Sequence, residues 1–235
     1  MMITHEALDM IDGDPLLQSR KTTVLYKADW HKGVIGIVAS RLIETWYRPT
    51  IIFTGANGVL SGSARSIPGF DIHNAIGACS DLLEQFGGHM FAAGLTLKQE
   101  KFAEFTQRFE EVVSSTIDET LLTPEIEINA LIDFKDVSPK FYNIVNQFAP
   151  FGPGNMRPVF ATYGVNDTSW SKLVGSDHLK LFAQKDQHRM SGVGWNMSSH
   201  LTRVKDSTPF DVCYVLEENE WNGRKRIEMV LRDLR

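Results

Sequence analysis

The sequence predicts an α/β domain, a mixed sheet with helices, followed by a small β-barrel domain. Three observations carry this reading. Between residues 20 and 122, short β-branched and apolar runs alternate with segments whose apolar side chains recur every three or four residues, the pattern of strands interleaved with helices. At Leu121-Leu122-Thr123-Pro124 that alternation stops. From Pro158 onward short strand-like runs dominate, separated by turn residues. The expected partition is a linker over 1–20, an α/β domain over 21–122 and a barrel domain over 123–235.

Residues 1–20 read as a linker because Asp12-Gly13-Asp14-Pro15 is rich in turn formers and the flanking pattern is weak. Thr23–Ala28 reads as a strand, and about Lys32 to Trp46 as a helix with Val34, Ile37, Val38, Leu42 and Ile43 at helical spacing ahead of Pro49. Pro49–Thr54 has the composition of a buried strand, and Asn57-Gly58 marks a tight hairpin turn into Val59–Arg65. Asp71 suits the N-cap of a second helix, with Ile72, Ala75, Ile76, Cys79, Leu82, Leu83 and Phe86 on one face and Gly87-Gly88 closing it. Ala92–Leu97 reads as a strand, and about Gln99 to Ile117 as a third helix burying Phe102, Phe105, Phe109, Val112 and Val113. In the second domain Glu125–Ile132 alternates as a half-exposed strand, and Ser138-Pro139 opens a short helix. Val159–Val165, His178–Gln184, Arg189–Trp195, Phe210–Glu217 and Arg226–Arg232 read as strands, the last two joined by a hairpin at Trp221-Asn222-Gly223. Five or six short strands with one or two helices fit an OB-like β-barrel.

Composition narrows the function classes. With 43% hydrophobic and 23% charged residues, the chain has the make-up of a folded globular protein rather than a disordered one. No apolar run approaches the ~20 residues needed to span a bilayer, and the acidic N-terminus lacks the apolar core of a signal peptide. No membrane partner and a cytoplasmic location are therefore expected. Cys79 and Cys213 lie inside apolar patterns and are expected to be buried free thiols. Residues 1–122 hold 10 basic and 15 acidic side chains, and residues 123–235 hold 14 of each. Neither half is a basic module that grips duplex DNA through phosphates alone, so a nucleic-acid site has to be a local groove.

Four segments carry candidate chemistry. Ser61-Gly62-Ser63-Ala64-Arg65-Ser66 reads as a small-residue turn in which backbone N–H groups, three hydroxyls and a guanidinium fork can meet a phosphate; it also suits an ordinary solvated hairpin end. Gly87-Gly88-His89, ahead of Ala92-Ala93-Gly94, is either a helix C-cap or a backbone that approaches a ligand, with His89 beside a phosphate oxygen. Trp30-His31-Lys32-Gly33, at the predicted start of the first helix, suits a phosphate and a stacking base, or an aromatic staple under the helix. Phe148-Ala149-Pro150-Phe151-Gly152-Pro153-Gly154-Asn155 is a loop of fixed shape, either a corner or a docking surface.

In order along the chain, WHKGVIGIVASRLIETWYRPTIIF and SGSARSIPGFDIHNAIGACSDLLEQFGGHMFAAGLTL resemble the DHH-associated domain of RecJ exonucleases. FAPFGPGNMRPVF and LVGSDHLKL resemble the OB domain that follows it in that family, so the resemblance spans roughly residues 20–235. It implies a 5′→3′ exonuclease acting on single-stranded DNA in recombination and mismatch repair, with Mn2+ or Mg2+ held by an N-terminal DHH domain. Here Asp177-His178 is followed by Leu179, and the seven histidines are scattered singly. The chain is thus expected to be a C-terminal portion, inactive alone and without a cofactor of its own. Its implied partners are a single strand with a 5′ end, the missing DHH domain and single-strand DNA-binding protein. The resemblance assigns the scissile phosphate to His89 as the catalytic residue. It assigns the terminal phosphate to Ser63 and Arg65, with Ser61, Gly62, Ser66, Gly87, Gly88, Trp30 and His31 around it. Candidates for the single-strand path over the barrel are Trp170, Lys172, Arg189 and Trp195, although core packing explains either tryptophan as well. The alternatives are a stand-alone nucleic-acid-binding or scaffolding module, and a small-nucleotide phosphodiesterase relative, against which residues 123–235 count.

Overall fold

The alternation read over residues 20–122 folds into a five-stranded sheet with helices on both faces, in a computed structural model that describes residues 2–221 and 223–235. The chain divides into two units, Met1–Pro124 and Glu125–Arg235. In the first, α1 (Met2–Asp12) and α2 (Pro15–Ser19) precede β1 (Thr23–Tyr26), α3 (Ile35–Thr45), β2 (Thr50–Ala56) and β3 (Val59–Arg65). Then follow α4 (Ile72–Gly77), β4 (Gln85–His89), β5 (Ala92–Lys98) and α5 (Phe102–Thr116). The strand order is β1-β2-β3-β5-β4, parallel between β1 and β2 and antiparallel elsewhere.

Because side chains alternate along a strand, the sheet has two chemically distinct faces. One face carries Val24, Ile51, Phe53, Leu60, Ala64, Leu95 and Leu97 and packs on α4 and α5 through Ile72, Ile76, Phe105, Phe109 and Val113. On the other face Leu25 and Ile52 pack under α3 and α1, with Trp30, Val38, Leu42, Ala7 and Ile11. That second cover lies over β1 and β2 and, through the first turn of α3, over the Ser63–Arg65 end of β3; beyond it β3, β5 and β4 carry small and polar side chains on this face, with exposed Val59 at the far end of β3.

Three expectations are corrected here. Residues 1–20, read as a linker, form two helices: Ala7 and Ile11 are fully buried against α3, and Asp14 caps α2 by accepting from the N–H groups of Leu16 and Leu17. Buried Arg48 fastens the end of that segment, donating to the carbonyls of Gln18 and Arg20 and to the Thr23 hydroxyl; burial lowers its pKa to about 10. The helix expected over Asp71–Phe86 stops at Gly77. A 3-10 turn over Ser80–Leu82 keeps Cys79 and Leu82 on the helical repeat and in the core, and the chain then extends so that β4 pairs with β5. Gly87 and Gly88 are thus strand residues, not a cap. Finally, of the strand expected over Glu125–Ile132 only Ala130–Leu131 pairs.

In the second unit β6 (Ala130–Leu131) is followed by α6 (Pro139–Asn146), capped by Ser138 as its sequence predicts. β7 (Phe160–Asp167), β8 (Lys172–Val174), β9 (His178–Lys185), β10 (His188–Gly194), α7 (Leu201–Lys205), β11 (Phe210–Trp221) and β12 (Arg224–Leu234) complete it. Asn222 of the expected hairpin lies outside the described residues. The sheet order β6-β7-β11-β12-β10-β9-β8 closes on itself where β7 also pairs β9, through Asn166↔Gln184 and Asp167↔Ala183. The ring β7-β9-β10-β12-β11, with β10 and β12 parallel, is OB-like and only lightly closed. Leu179, Leu181, Ala183, Phe210, Val212, Tyr214 and Met229 fill its interior.

Candidate functional site

β3 is a central strand, and this changes how Ser61–Ser66 can act. Its residues pair with β2 on one side and β5 on the other, so the backbone N–H groups are committed to the two ladders and cannot cradle an anion. What remains is side chains. Ser61, Ser63 and Arg65 alternate with core-facing Leu60, Gly62 and Ala64 and all lie on the uncovered face. Gly62 faces inward, where a β-carbon would lie 2.5 Å from the Phe53 ring; its lack of a side chain serves packing.

The register extends this face laterally. Ser63 pairs with Gly94, which pairs with Gly87; Arg65 pairs with Ala92, which pairs with His89; Ser61 pairs with Thr96, which pairs with Gln85. Cross-strand partners share a face, with strands about 4.8 Å apart. One strand, β5, therefore separates Arg65 from His89, and a strip of bare backbone runs beside them. A β-carbon on Gly87 or Gly94 would meet nothing within 4 Å. Lys32, Ser61, Gln85, Gly87, Gly94 and Thr96 line a groove of about 370 Å³ along this strip.

Each polar group is held by its own neighbourhood. Arg65 donates to the Ser63 hydroxyl at 3.1 Å and to the Ala64 carbonyl at 2.7 Å, and among the described residues no carboxylate pairs with it. The first turn of α3 closes over this pair: a β-carbon on Gly36 would lie 2.7 Å from the Arg65 guanidinium and 2.9 Å from the Ser63 hydroxyl. His89 Nδ1 accepts the Phe91 N–H at 3.2 Å, so the neutral ring carries its proton on outward-facing Nε2. His31 is fixed likewise by the Gly33 N–H and is exposed on the turn before α3, where the sequence predicts the helix to begin.

Other predicted residues lie elsewhere. Trp30 is 3% exposed and donates its indole N–H to Glu6, so it is a core residue and offers no ring for stacking. Glu6 accepts from Lys27 as well, and these two hydrogen bonds hold its carboxyl below the usual range. Ser66 donates its hydroxyl to the Phe70 carbonyl. Gly88 turns away from the strip, and a β-carbon there would overlap the Ala92 carbonyl oxygen. The sequence reading noted Gly94 beside the Gly87-Gly88-His89 segment but missed Gly36, Gln85 and Thr96; an isolated glycine inside a helix pattern was the available signal for the first.

On the barrel, His178, Lys180, Phe182 and Gln184 of β9 and Arg189, Ser191 and Val193 of β10 alternate with core residues and line the outer face. Lys172 pairs with Lys180 and joins this face. Trp195 is 59% exposed and packs edge-on against His178. Trp170, 76% exposed, lies with Arg189, Phe182, Lys225 and Arg226 around a cavity of about 710 Å³. Glu228 sits within the face: burial alone would raise its pKa, but hydrogen bonds from Asn219, Ser191 and Lys180 outweigh that and lower it. Among the described residues, no group of three or more His, Cys, Asp or Glu side chains converges as a metal site.

The DHHA1 domain model matches residues 19–115 and the RecJ OB domain model residues 128–233. The chain is 31% identical over 234 residues to the single-stranded-DNA-specific exonuclease RecJ of Bacillus subtilis, covering 98% of this chain and 30% of that protein. To the protein of the same name from Escherichia coli it is 30% identical over 217 residues, covering 89% and 37%. The crystal structure of RecJ in complex with Mn2+ from Thermus thermophilus matches all of this chain and 34% of that one, with a TM-score of 0.77 at 26% identity. The chain thus spans about a third of the length of these relatives. It belongs to the RecJ family, of which it carries the DHHA1 and RecJ OB domains.

Proposed function

We propose that this chain is the strand-gripping portion of a RecJ-like 5′→3′ single-stranded-DNA exonuclease, and that the uncovered sheet face of its first unit binds the 5′-terminal phosphate. The observation that carries the reading is Arg65: a guanidinium without a carboxylate partner among the described residues, beside the Ser63 hydroxyl, at the border of a strip with no side chains. A phosphate monoester seated there accepts from both groups. His89, two strands away, donates from Nε2 to an oxygen of the next phosphate. The OB-like face holds the rest of the strand through Trp170, Trp195, Lys172 and Arg189, aromatic rings stacking on bases and cations meeting phosphates. RecJ from Thermus thermophilus was crystallised with Mn2+ and, separately, with Mg2+. The described residues here offer no group of three or more His, Cys, Asp or Glu side chains to hold such an ion.

The test compares 5′-phosphate and 5′-hydroxyl oligodeoxynucleotides by fluorescence anisotropy. A monoester carries more charge than a diester, so the wild-type chain is expected to prefer the phosphorylated end. Arg65→Ala is expected to remove a charge-assisted contact of roughly 1.5–3 kcal/mol, about ten- to a hundredfold in affinity, and to abolish the preference. Arg65→Lys restores only part of it, because a point charge does not reproduce the planar fork. If Arg65→Ala keeps the wild-type ratio between the two ends, the assignment is wrong.

A further inference from the structure

β4 and β5 are joined by a two-residue turn, Met90-Phe91, whose chemistry the turn itself does not explain. Tight hairpins favour glycine and asparagine at positive φ, yet neither Met90 nor Phe91 takes a positive φ. The turn is held instead from outside and from below. The Ser66 N–H donates to the Phe91 carbonyl at 3.0 Å, the Ile72 N–H donates to the Met90 carbonyl at 3.2 Å, and the Phe91 N–H donates to His89 Nδ1. Three hydrogen bonds fix a short turn that presents a phenyl ring 51% exposed to solvent. The ring lies edge-on to His89, centroids 6.1 Å apart, and the N–H that anchors its backbone belongs to the residue after Arg65. Aromatic, imidazole and guanidinium thus share one corner of the uncovered face.

We infer that Phe91 is a base-stacking residue, and that its ring receives the nucleobase of the terminal nucleotide whose phosphate Arg65 and Ser63 hold. The inference rests on the phosphate reading above. A ring fixed in place meets a flat partner with little further ordering, and every nucleobase has a face to offer, so the contact is sequence-tolerant. The terminal base of a duplex also keeps one open face, so what this contact reads is the presence of a base at the 5′ end. The bare backbone at Gly94 and Gly87 leaves room for the sugar alongside.

The experiment uses the 235-residue chain and two 5′-phosphorylated oligodeoxynucleotides, one intact and one abasic at its 5′-terminal nucleotide. Phe91→Leu is expected to weaken binding of the intact strand about tenfold, within the range of single stacking contacts. It is expected to leave the abasic strand at its wild-type affinity, and Phe91→Trp is expected to restore the intact strand. A 2-aminopurine at the terminal position is expected to be quenched by the wild-type chain and the Trp variant but not by Phe91→Leu. Unchanged affinity of Phe91→Leu for the intact strand, or an equal loss on both strands, overturns the inference. Arg65→Ala is run in parallel. If it weakens both strands while Phe91→Leu is silent, only the stacking role fails; if it is silent too, the phosphate reading fails with it.

Discussion

At the scale of the residue, the four glycines around the candidate site divide by what a side chain would meet. Gly62 makes room for Phe53, and Gly88 avoids the Ala92 carbonyl at φ 157°. Gly87 and Gly94 face open space, so the fold has no need of them, although glycine in a strand weakens it. Gly94→Val is accordingly expected to hold or raise the stability by up to about 1 kcal/mol while lowering affinity for single strands about tenfold or more, as a branched side chain fills the strip. Gly88→Ala is expected to do the reverse in kind, lowering stability by about 1–3 kcal/mol. Urea unfolding and oligonucleotide titration on the same preparations separate the two, and a Gly94→Val chain that binds normally removes the strip from the site. Little of this was legible in sequence. Ser63, Arg65 and His89 stand out by residue type, but the string offered a turn and a helix cap, because small residues look alike in turns, caps and strands. Only the register Ser63↔Gly94↔Gly87 brings them onto one face.

At the scale of the element, α1 is where sequence and structure differ most. Its apolar positions are diluted by Thr4, His5, Glu6 and Asp9, and the Asp12-Gly13-Asp14-Pro15 string that reads as a linker turn is the N-cap of α2. The helix nonetheless seals the α3 face: Ile11 is fully buried, and Glu6 takes the only polar atom of the Trp30 ring. Ile11→Ala is expected to cost about 2–5 kcal/mol through the lost burial and the cavity left behind. The check is a urea melt, with the midpoint shifted and the slope unchanged; an unmoved midpoint would return residues 1–20 to the status of a tether. The elements with strong periodicity were legible. α5 buries Phe105, Phe109 and Val113 as its repeat requires, and β9 and β10 are strands where strands were read. The segment over 71–89 was not, because Ile72, Ala75, Ile76, Cys79 and Leu82 keep a helical spacing through a 3-10 turn into a strand.

At the scale of the whole molecule, the charge balance limits how DNA can be held. The net charge is −5, and much of the cationic surface is already paired: Lys180 with Glu228, Lys205 with Asp167, Lys225 with Glu218 and Arg203 with Asp206. Lys172 and Arg189 on the barrel and Arg65 on the sheet make no ion pair among the described residues. With roughly three phosphates neutralised, log affinity against log salt is expected to have a shallow slope of about −2 on single strands. Duplex of the same length is expected to bind more weakly, because stacking on Trp170 and Trp195 requires unpaired bases. A slope steeper than about −5, or equal affinity for duplex, would point to a cationic surface outside these faces. The two-part architecture was legible from the change of pattern at Pro124. The closure of the barrel was not, because the two residue pairs that join β7 to β9 leave no periodic trace.

The position of β3 between β2 and β5 separates what makes this sheet from what makes it selective. Its folding is set by Leu60, Gly62 and Ala64 and by two complete ladders, whereas the side chains of Ser61, Ser63 and Arg65 lie outside the core. Heritable changes on the open side of this strand then disturb the core less than changes on the core side, provided they fit under the first turn of α3. Such a sheet is a durable frame on which descent can rewrite the ligand one side chain at a time.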